Sequence, residues 1–313
     1  MRFVRPPKLL KGDLIGLISP ASSAEEQTIL EKGVRYFENQ GYRIELGKNV
    51  GKYHGYLAGS DEERLEDLHD MFKNKKVKAI FCIRGGYGAS RLLDKINYKL
   101  IKANPKIFVG FSEITSLQSA FLEKAGLVTF AGPMLYPDFF EDVSSFTEEF
   151  FWRILTSNKK IGRLEFSEND KLSGMTKGNA SGKIVGGNLS VLHALIGTPY
   201  FPNLKDKILL LEDIKELPYR IDRMLNHLRL VNTFKTLRGI ILGRFVDCFE
   251  HDPMKKTLTL GEVMEDYLGK MKIPIIYAFP HGHITDKVTV PLGLNVKMNA
   301  TKGFVEYTES AVK

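Results

Sequence analysis

An α/β chain of two domains is what this sequence predicts: an N-terminal domain (1–145) on a Rossmann-like parallel sheet with helices on both faces, an interdomain linker (146–177), and a C-terminal mixed α+β domain (178–313). Three features carry the prediction. From Leu14 to Pro133, short apolar strand-like runs alternate with amphipathic helical stretches. Between Phe139 and Lys177, an acidic, aromatic helical stretch (Glu148 to Leu155) gives way to a polar passage rich in Lys and Gly, the composition of a domain crossing. Beyond it, buried-type strands resume, and two alternating runs, Asn295 to Met298 and Phe304 to Tyr307, suit a closing hairpin.

Leu14 to Ser19 reads as a buried first strand ending at Pro20-Ala-Ser-Ser, and the helix after it places Leu30, Val34 and Phe37 on one face before stopping at Gly41. Tyr42 to Gly47 alternates as a second strand, so strand, helix and strand follow with short connections, as in a parallel sheet. Tyr53 to Gly59 is an aromatic, glycine-rich loop, either a cover over a site or ordinary surface. Ser60 and Glu63 have capping-box spacing, and Leu65, Leu68, Met71 and Phe72 form the buried stripe behind them. Ala79 to Arg84 is the third strand and runs into Gly85-Gly-Tyr-Gly-Ala-Ser-Arg91. Ile107 to Val109 is the fourth and stops at Gly110; Leu117, Phe121 and Leu122 face inward from the next helix, and Val128 to Pro133 is the fifth strand. Ligands of open α/β sheets gather at the carboxyl ends of the strands, which puts Gly86, Ser112 and Pro133 on one rim.

In the second half, Gly182 to Leu189 leads into a short helix (Val191 to Ile196), and Lys207 to Asp213 is a buried strand ending in two carboxylates. Pro218 opens a helix with Ile221, Leu225 and Leu228 inward; Gly239 to Phe245 and Pro274 to Pro280 are further strands, followed by His281-Gly-His283 and Val288 to Gly293.

Composition narrows the function classes. The 313 residues are 43% hydrophobic, enough for well-filled cores, and the apolar runs are strand-sized, which excludes a membrane-spanning chain. The first residues, Met-Arg-Phe-Val-Arg-Pro-Pro-Lys, lack the apolar core of a signal peptide, so a cytoplasmic protein is expected. Cys82 and Cys248 lie in apolar runs without metal-ligand spacing. The net charge of +8 is scattered, and clusters such as Lys73, Lys75, Lys76 and Lys78 lack interleaved aromatics, which argues against nucleic acid and suits a small anionic substrate.

Ser112 stands where a strand turns into a helix, a position that lifts a hydroxyl clear of the sheet edge while the next N–H points toward an oxyanion. The same serine would also serve as an ordinary N-cap, and Ile114 occupies the second glycine position of the Gly-x-Ser-x-Gly elbow. The glycine turn fails the dinucleotide pattern: counted from Gly86, the last glycine of Gly-x-Gly-x-x-Gly is Arg91, and no P-loop occurs. Its glycines permit close backbone approach to a ligand with N–H groups directed at it. Glu212 ends an apolar strand, within reach of a catalytic neighbour or of Arg220 and Arg223. His283 follows Gly282 in a loop, and Ser, His and Glu supply the nucleophile, base and orienting anion of acyl transfer. His281 and His283 could meet Cys248, His251 or Asp286 around a metal, but no ligand set of standard spacing completes, so neither metal nor cofactor is expected.

Taken jointly, Leu17-Ile-Ser-Pro-Ala-Ser, Ile83-Arg-Gly-Gly-Tyr-Gly, Val109-Gly-Phe-Ser-Glu-Ile-Thr, Gly186-Gly-Asn-Leu, Leu211-Glu-Asp with Tyr219-Arg-Ile-Asp-Arg, and Gly282-His with Pro291-Leu-Gly resemble the LD-carboxypeptidase family of serine peptidases, which includes the microcin C immunity hydrolases. The resemblance implies Ser112 as nucleophile, His283 as general base and acid, Glu212 as orienting carboxylate, and an oxyanion hole from the backbone N–H groups of Gly86 and Glu113. It selects Glu212 over Asp213 and Glu216, and His283 over His281. The family turn usually reads Gly-Phe-Ser-Asp; Glu113 replaces the Asp here, and only its backbone is asked to act. The active site is then expected where the two domains meet. The implied substrate is a muropeptide losing a terminal D-amino acid, with a peptidyl or aminoacyl nucleotide as the alternative, and a homodimer is implied. A reading of a different class is a non-catalytic, nucleotide-binding α/β protein built on the glycine turn.

Overall fold

Residues 3–24, 26–140, 142–166 and 171–313 are described by a computed structural model. The chain forms two units, Met1–Lys159 with Thr285–Gly293 and Ser310–Lys313, and Lys160–Ile284 with Leu294–Glu309. The first unit is built from β1 (Leu14–Ile18), α1 (Gln27–Asn39), β2 (Arg43–Leu46), α2 (Asp61–Lys73), β3 (Val77–Cys82), α3 (Tyr98–Ala103), β4 (Ile107–Gly110), α4 (Thr115–Ala120), β5 (Thr129–Ala131) and α5 (Ser145–Thr156). Among the described residues its sheet has six strands, in the order Val290–Leu292, β5, β4, β3, β1, β2. Every pair is parallel except the one between β5 and Val290–Leu292.

Helices cover both faces of this sheet, and register explains how. Ile80 pairs with Phe108 and Phe81 with Val109, so Phe81 and Phe108 point to opposite faces. Phe81 meets Phe37 of α1 and Phe151 of α5, each at 5.4 Å between ring centroids, while Phe108 meets Phe121 at 4.9 Å and Phe72 of α2 at 6.2 Å. The capping box at Ser60 and Glu63 is formed. In α1 the buried positions are Gly33 and Phe37, with Leu30 and Val34 only half-buried. The strand order reverses between β1 and β3, whose carboxyl ends carry the Pro20–Ser23 and Gly85–Gly88 turns. That reversal is where doubly wound sheets open a crevice.

The second unit contains β6 (Gly162–Arg163), β7 (Ser173–Gly174), β8 (Asn179–Asn188), α6 (Leu189–Ala194), β9 (Lys207–Ile214), α7 (Pro218–Leu230), β10 (Gly239–Val246), α8 (Leu260–Met264) and β11 (Ile275–Tyr277). After Val290–Leu292, numbered β12, come β13 (Asn295–Asn299) and β14 (Phe304–Tyr307). The sheet order is β6, β14, β13, β8, β9, β10, β11, β7. Strands β8 to β11 run parallel, and β13 pairs antiparallel with both β8 and β14. This is the mixed α+β sheet and closing hairpin expected.

The boundaries differ from expectation in two ways. Helix α5 lies inside the stretch expected to be linker, yet Phe150, Phe151, Ile154 and Leu155 are buried and the helix belongs to the first unit. Its acidic exposed face gave the stretch a crossing's composition; its buried stripe decides the matter. Residues 167–170 of the expected linker lie outside the described residues. The expected C-terminal domain is also interrupted, because Thr285–Gly293 and Ser310–Lys313 return to the first unit, where β12 finishes the sheet edge beside β5. Removing Phe108, which sits between α2 and the helix after Ser112, should cost about 3–5 kcal/mol. Urea unfolding of Phe108→Ala checks this, and a loss under 1 kcal/mol would contradict the packing described.

Candidate active site

In the first unit the site begins where β4 runs out. Ser112 has φ 60°, a left-handed conformation for a residue with a side chain, and it opens a 3₁₀ turn (Ser112–Ile114) that continues into α4. No side-chain cap serves either helical start, so the N-cap reading of Ser112 does not hold. The strained turn has the backbone form of a nucleophile elbow, with Ile114 in place of the second glycine. Gly85 lies against the serine: a Cβ there would stand 3.2 Å from Ser112 Cβ and 3.3 Å from its Oγ. Gly86, at φ 96°, is tighter still, since a Cβ would come 2.3 Å from Ser22 Oγ and 2.6 Å from its Cβ.

The turn around these glycines is tied on every side. Ser22 N–H donates to the Gly85 carbonyl (3.1 Å), Tyr87 N–H to Ser22 Oγ (3.2 Å), and Ser22 Oγ to the Tyr56 carbonyl (2.7 Å). Tyr56 belongs to the aromatic loop at 53–59, which therefore braces the Pro20–Ser23 turn; Ala58 N–H also donates to Ala21 (2.9 Å), and Tyr53 donates to the Ala24 carbonyl. Buried Arg64 donates to the carbonyls of Pro20 (2.6 Å) and Gly88 (2.8 Å), and to Asp61 (2.5 Å). Glu113 is 5% exposed, and its Oε1 accepts from the N–H groups of Gly88 (2.9 Å), Ala89 (2.9 Å) and Ser90 (3.4 Å). Burial pushes the Glu113 carboxyl up, opposed by those three donors and by Arg64. Beneath Phe111, buried Lys287 pairs with Asp138 and sits 4.7 Å from the ring centroid.

In the second unit, Glu212 comes near the end of β9, flanked by β8 and β10. It is 1% exposed, and its Oε2 lies 2.9 Å from His283 Nδ1. A bulge in β10 lies beside Glu212, between the pairs Leu242 with Leu211 and Phe245 with Asp213. Arg244 N–H donates to the His281 carbonyl there (2.8 Å), and this fixes the histidine loop. Gly243 and Gly282 leave the space it needs: a Cβ at Gly243 would meet the His281 carbonyl at 2.5 Å, and one at Gly282 would meet Glu212 Oε2 at 3.0 Å. The carboxylate accepts in this contact, so His283 donates from Nδ1.

The competing residues go elsewhere. Asp213, one step along the strand, takes Ser190 N–H (2.8 Å), Ile214 N–H (2.8 Å) and Asn188 Nδ2 (3.1 Å). Glu216 pairs with Arg220 (3.5 Å), and His281 is fully buried. Ser112, Gly86 and Glu113 thus come together in one unit, and Glu212 and His283 in the other. Among the described residues no cluster of three or more His, Cys, Asp or Glu side chains is placed to hold a metal ion, and no helix is long and apolar enough to cross a membrane. Sequence reasoning missed the Glu113 carboxylate and Arg64. A signal existed for the arginine: positions 64, 68 and 71 share a helix face, and Leu68 and Met71 are core residues.

Comparison with known proteins adds an independent line. Residues 15–132 match the family described as the LD-carboxypeptidase N-terminal domain, and residues 181–298 the LD-carboxypeptidase C-terminal domain. A probable murein peptide carboxypeptidase of Bacillus subtilis is 40% identical over 304 residues, covering 95% of this chain and 92% of that one. The murein tetrapeptide carboxypeptidase of Pseudomonas aeruginosa is 33% identical over 288 residues, covering 89% and 91%. The solved structure of the microcin C7 self-immunity protein MccF with aspartyl sulfamoyl adenosine matches with a TM-score of 0.91, at 27% identity and with 99% and 100% coverage.

Burial pushes the Asp213 carboxyl from 3.8 up to about 6. A carboxyl with a raised folded pKa binds its proton more tightly when folded, so stability is full in acid and falls as the pH rises from about 4 to about 6. Denaturation midpoints measured across that window should fall for the wild type relative to Asp213→Asn. An offset independent of pH would contradict the assignment.

Proposed function

The chain belongs to the LD-carboxypeptidase family, and on that premise we propose that Ser112, His283 and Glu212 act as one triad in a serine carboxypeptidase that releases the terminal D-Ala of murein tetrapeptides during peptidoglycan recycling. The observation that carries the reading is the 2.9 Å contact between His283 Nδ1 and a Glu212 carboxylate buried at the end of a central strand. Such a pair holds one tautomer and stabilises the ring as it takes up a proton.

In the reaction, Ser112 Oγ bonds to the scissile carbonyl carbon as its proton passes to His283 Nε2. The carbonyl oxygen becomes an oxyanion facing the N–H groups of Gly86 and Glu113. Collapse breaks the C–N bond, and the imidazolium returns its proton to the departing D-amino acid. Water, deprotonated by the same ring, then cleaves the ester and restores the serine. The protein is proposed to work in the cytoplasm as a homodimer on small peptides.

A second reading keeps the chemistry and changes the substrate to a peptidyl or aminoacyl nucleotide; the similarity to MccF with aspartyl sulfamoyl adenosine favours it. Family membership removes the non-catalytic nucleotide-binding reading. Incubation with L-Ala-D-Glu-meso-diaminopimelate-D-Ala and, separately, with an aminoacyl sulfamoyl-adenosine, followed by mass spectrometry, distinguishes the two substrates by release of D-Ala or of nucleoside. Ser112→Ala and His283→Ala should lower kcat by ~10⁴-fold or more, and Glu212→Gln by ~10³–10⁴-fold, with the fold intact. Undiminished release by Ser112→Ala would end the proposal.

A further inference from the structure

We propose that the Glu113 side chain is a positioning residue for this reaction: its buried carboxylate fixes the direction of the Gly86 N–H by holding the N–H groups of Gly88, Ala89 and Ser90. The inference rests on the reading that Gly86 N–H receives the oxyanion, and it gives a task to a side chain where that reading uses only main chain.

The geometry is that of a helix cap delivered from another element. Ala89–Leu92 is a 3₁₀ turn whose N-cap is Gly88, at φ 109°, with no side chain to satisfy the first N–H groups. Glu113 Oε1 supplies the acceptor for all three. A carboxylate 5% exposed is costly without partners, and convergent backbone donors are what make this one tolerable. The same glycine is gripped from its other end, because Arg64 donates to the Gly88 carbonyl and also ties it to Pro20. Gly86 therefore sits between two anchored points, the Gly85 carbonyl bonded to Ser22 N–H and the Gly88 peptide bonded to Glu113 and Arg64. From Tyr87 to Ser90 every N–H is directed at a protein acceptor, so these donors do not compete for the substrate oxygen.

Glu113 supplies an oxyanion N–H through its own backbone and orients the second donor through its side chain, so the two donors are set relative to each other by a single residue. Losing aim at an oxyanion affects the transition state and leaves ground-state binding nearly untouched.

The test uses the full-length protein and murein tetrapeptide. Glu113→Ala should lower kcat by ~10²–10³-fold and Glu113→Gln, which keeps the length and one acceptor oxygen, by ~10-fold, with KM within about twofold of wild type. Affinity for a peptide aldehyde, which forms a tetrahedral adduct on the serine, should fall in step with kcat. Circular dichroism confirms folding, and Glu113→Gln carries the test if the alanine variant does not fold. A kcat of folded Glu113→Gln and Glu113→Ala within about twofold of wild type, beside a Gly86→Ala variant that loses ~10²-fold or more, would overturn this inference and leave the oxyanion assignment standing. A fully active Gly86→Ala would overturn the assignment itself.

Discussion

A serine held in a left-handed conformation at the end of a buried strand is the constraint on which the proposed chemistry of this chain depends. At φ 60°, Ser112 stores on the order of 1–3 kcal/mol that an extended or right-handed residue would not. The surroundings over-determine it. Phe111 and Ile114 are buried on either side, Gln118 donates to the carbonyls of Gly110 (2.8 Å) and Phe130 (2.9 Å), and Ser116 Oγ returns to the Glu113 carbonyl (2.8 Å). Gly110 has no room for a side chain, since a Cβ would lie 2.8 Å from Ile114 Cγ2. Strand, turn and helix are locked before any substrate arrives, which is the preorganisation that acyl transfer rewards.

In both units buried charged side chains lie against backbone groups or an imidazole ring. In the first unit Arg64 and Glu113 hold the carbonyl and the N–H of Gly88. In the second, two consecutive carboxylates on β9 are sent to opposite faces by the alternation of a strand. Glu212 meets His283, while Asp213 fastens the turn from β8 into α6 through Asn188 and Ser190. The bulge in β10 beside Glu212 turns a backbone donor, Arg244 N–H, onto the histidine loop. Orientation is thus achieved by main-chain devices around a few buried polar side chains.

Much of this was legible in the residues. The alternation of strands and helices through β5 follows from local period and capping, and the boundary of β4 at Gly110 exposed Ser112 as a turn residue. Glu212 and His283 stood out because each occupies a strand end or loop beside glycine, and the structure joins them at 2.9 Å. What was not legible depends on distant pairing. Nothing local in Val290–Leu292 marks it as the edge strand of the first sheet, because its partner β5 lies far back in the chain. Likewise α5 has the acidic surface of a crossing, and only the packing of Phe151 against Phe81 and Phe139 assigns it to a core. The Glu113 carboxylate escaped notice because its three acceptor contacts go to main chain, which carries no sequence signature.

The direct test of the strained serine as nucleophile is the intact mass of the protein after brief exposure to a fluorophosphonate. One adduct per chain is expected, mapped to the peptide containing Ser112, absent in Ser112→Ala and formed far more slowly in His283→Ala. Labelling at another serine, or labelling of Ser112 at an undiminished rate without the His283 ring, would contradict the account.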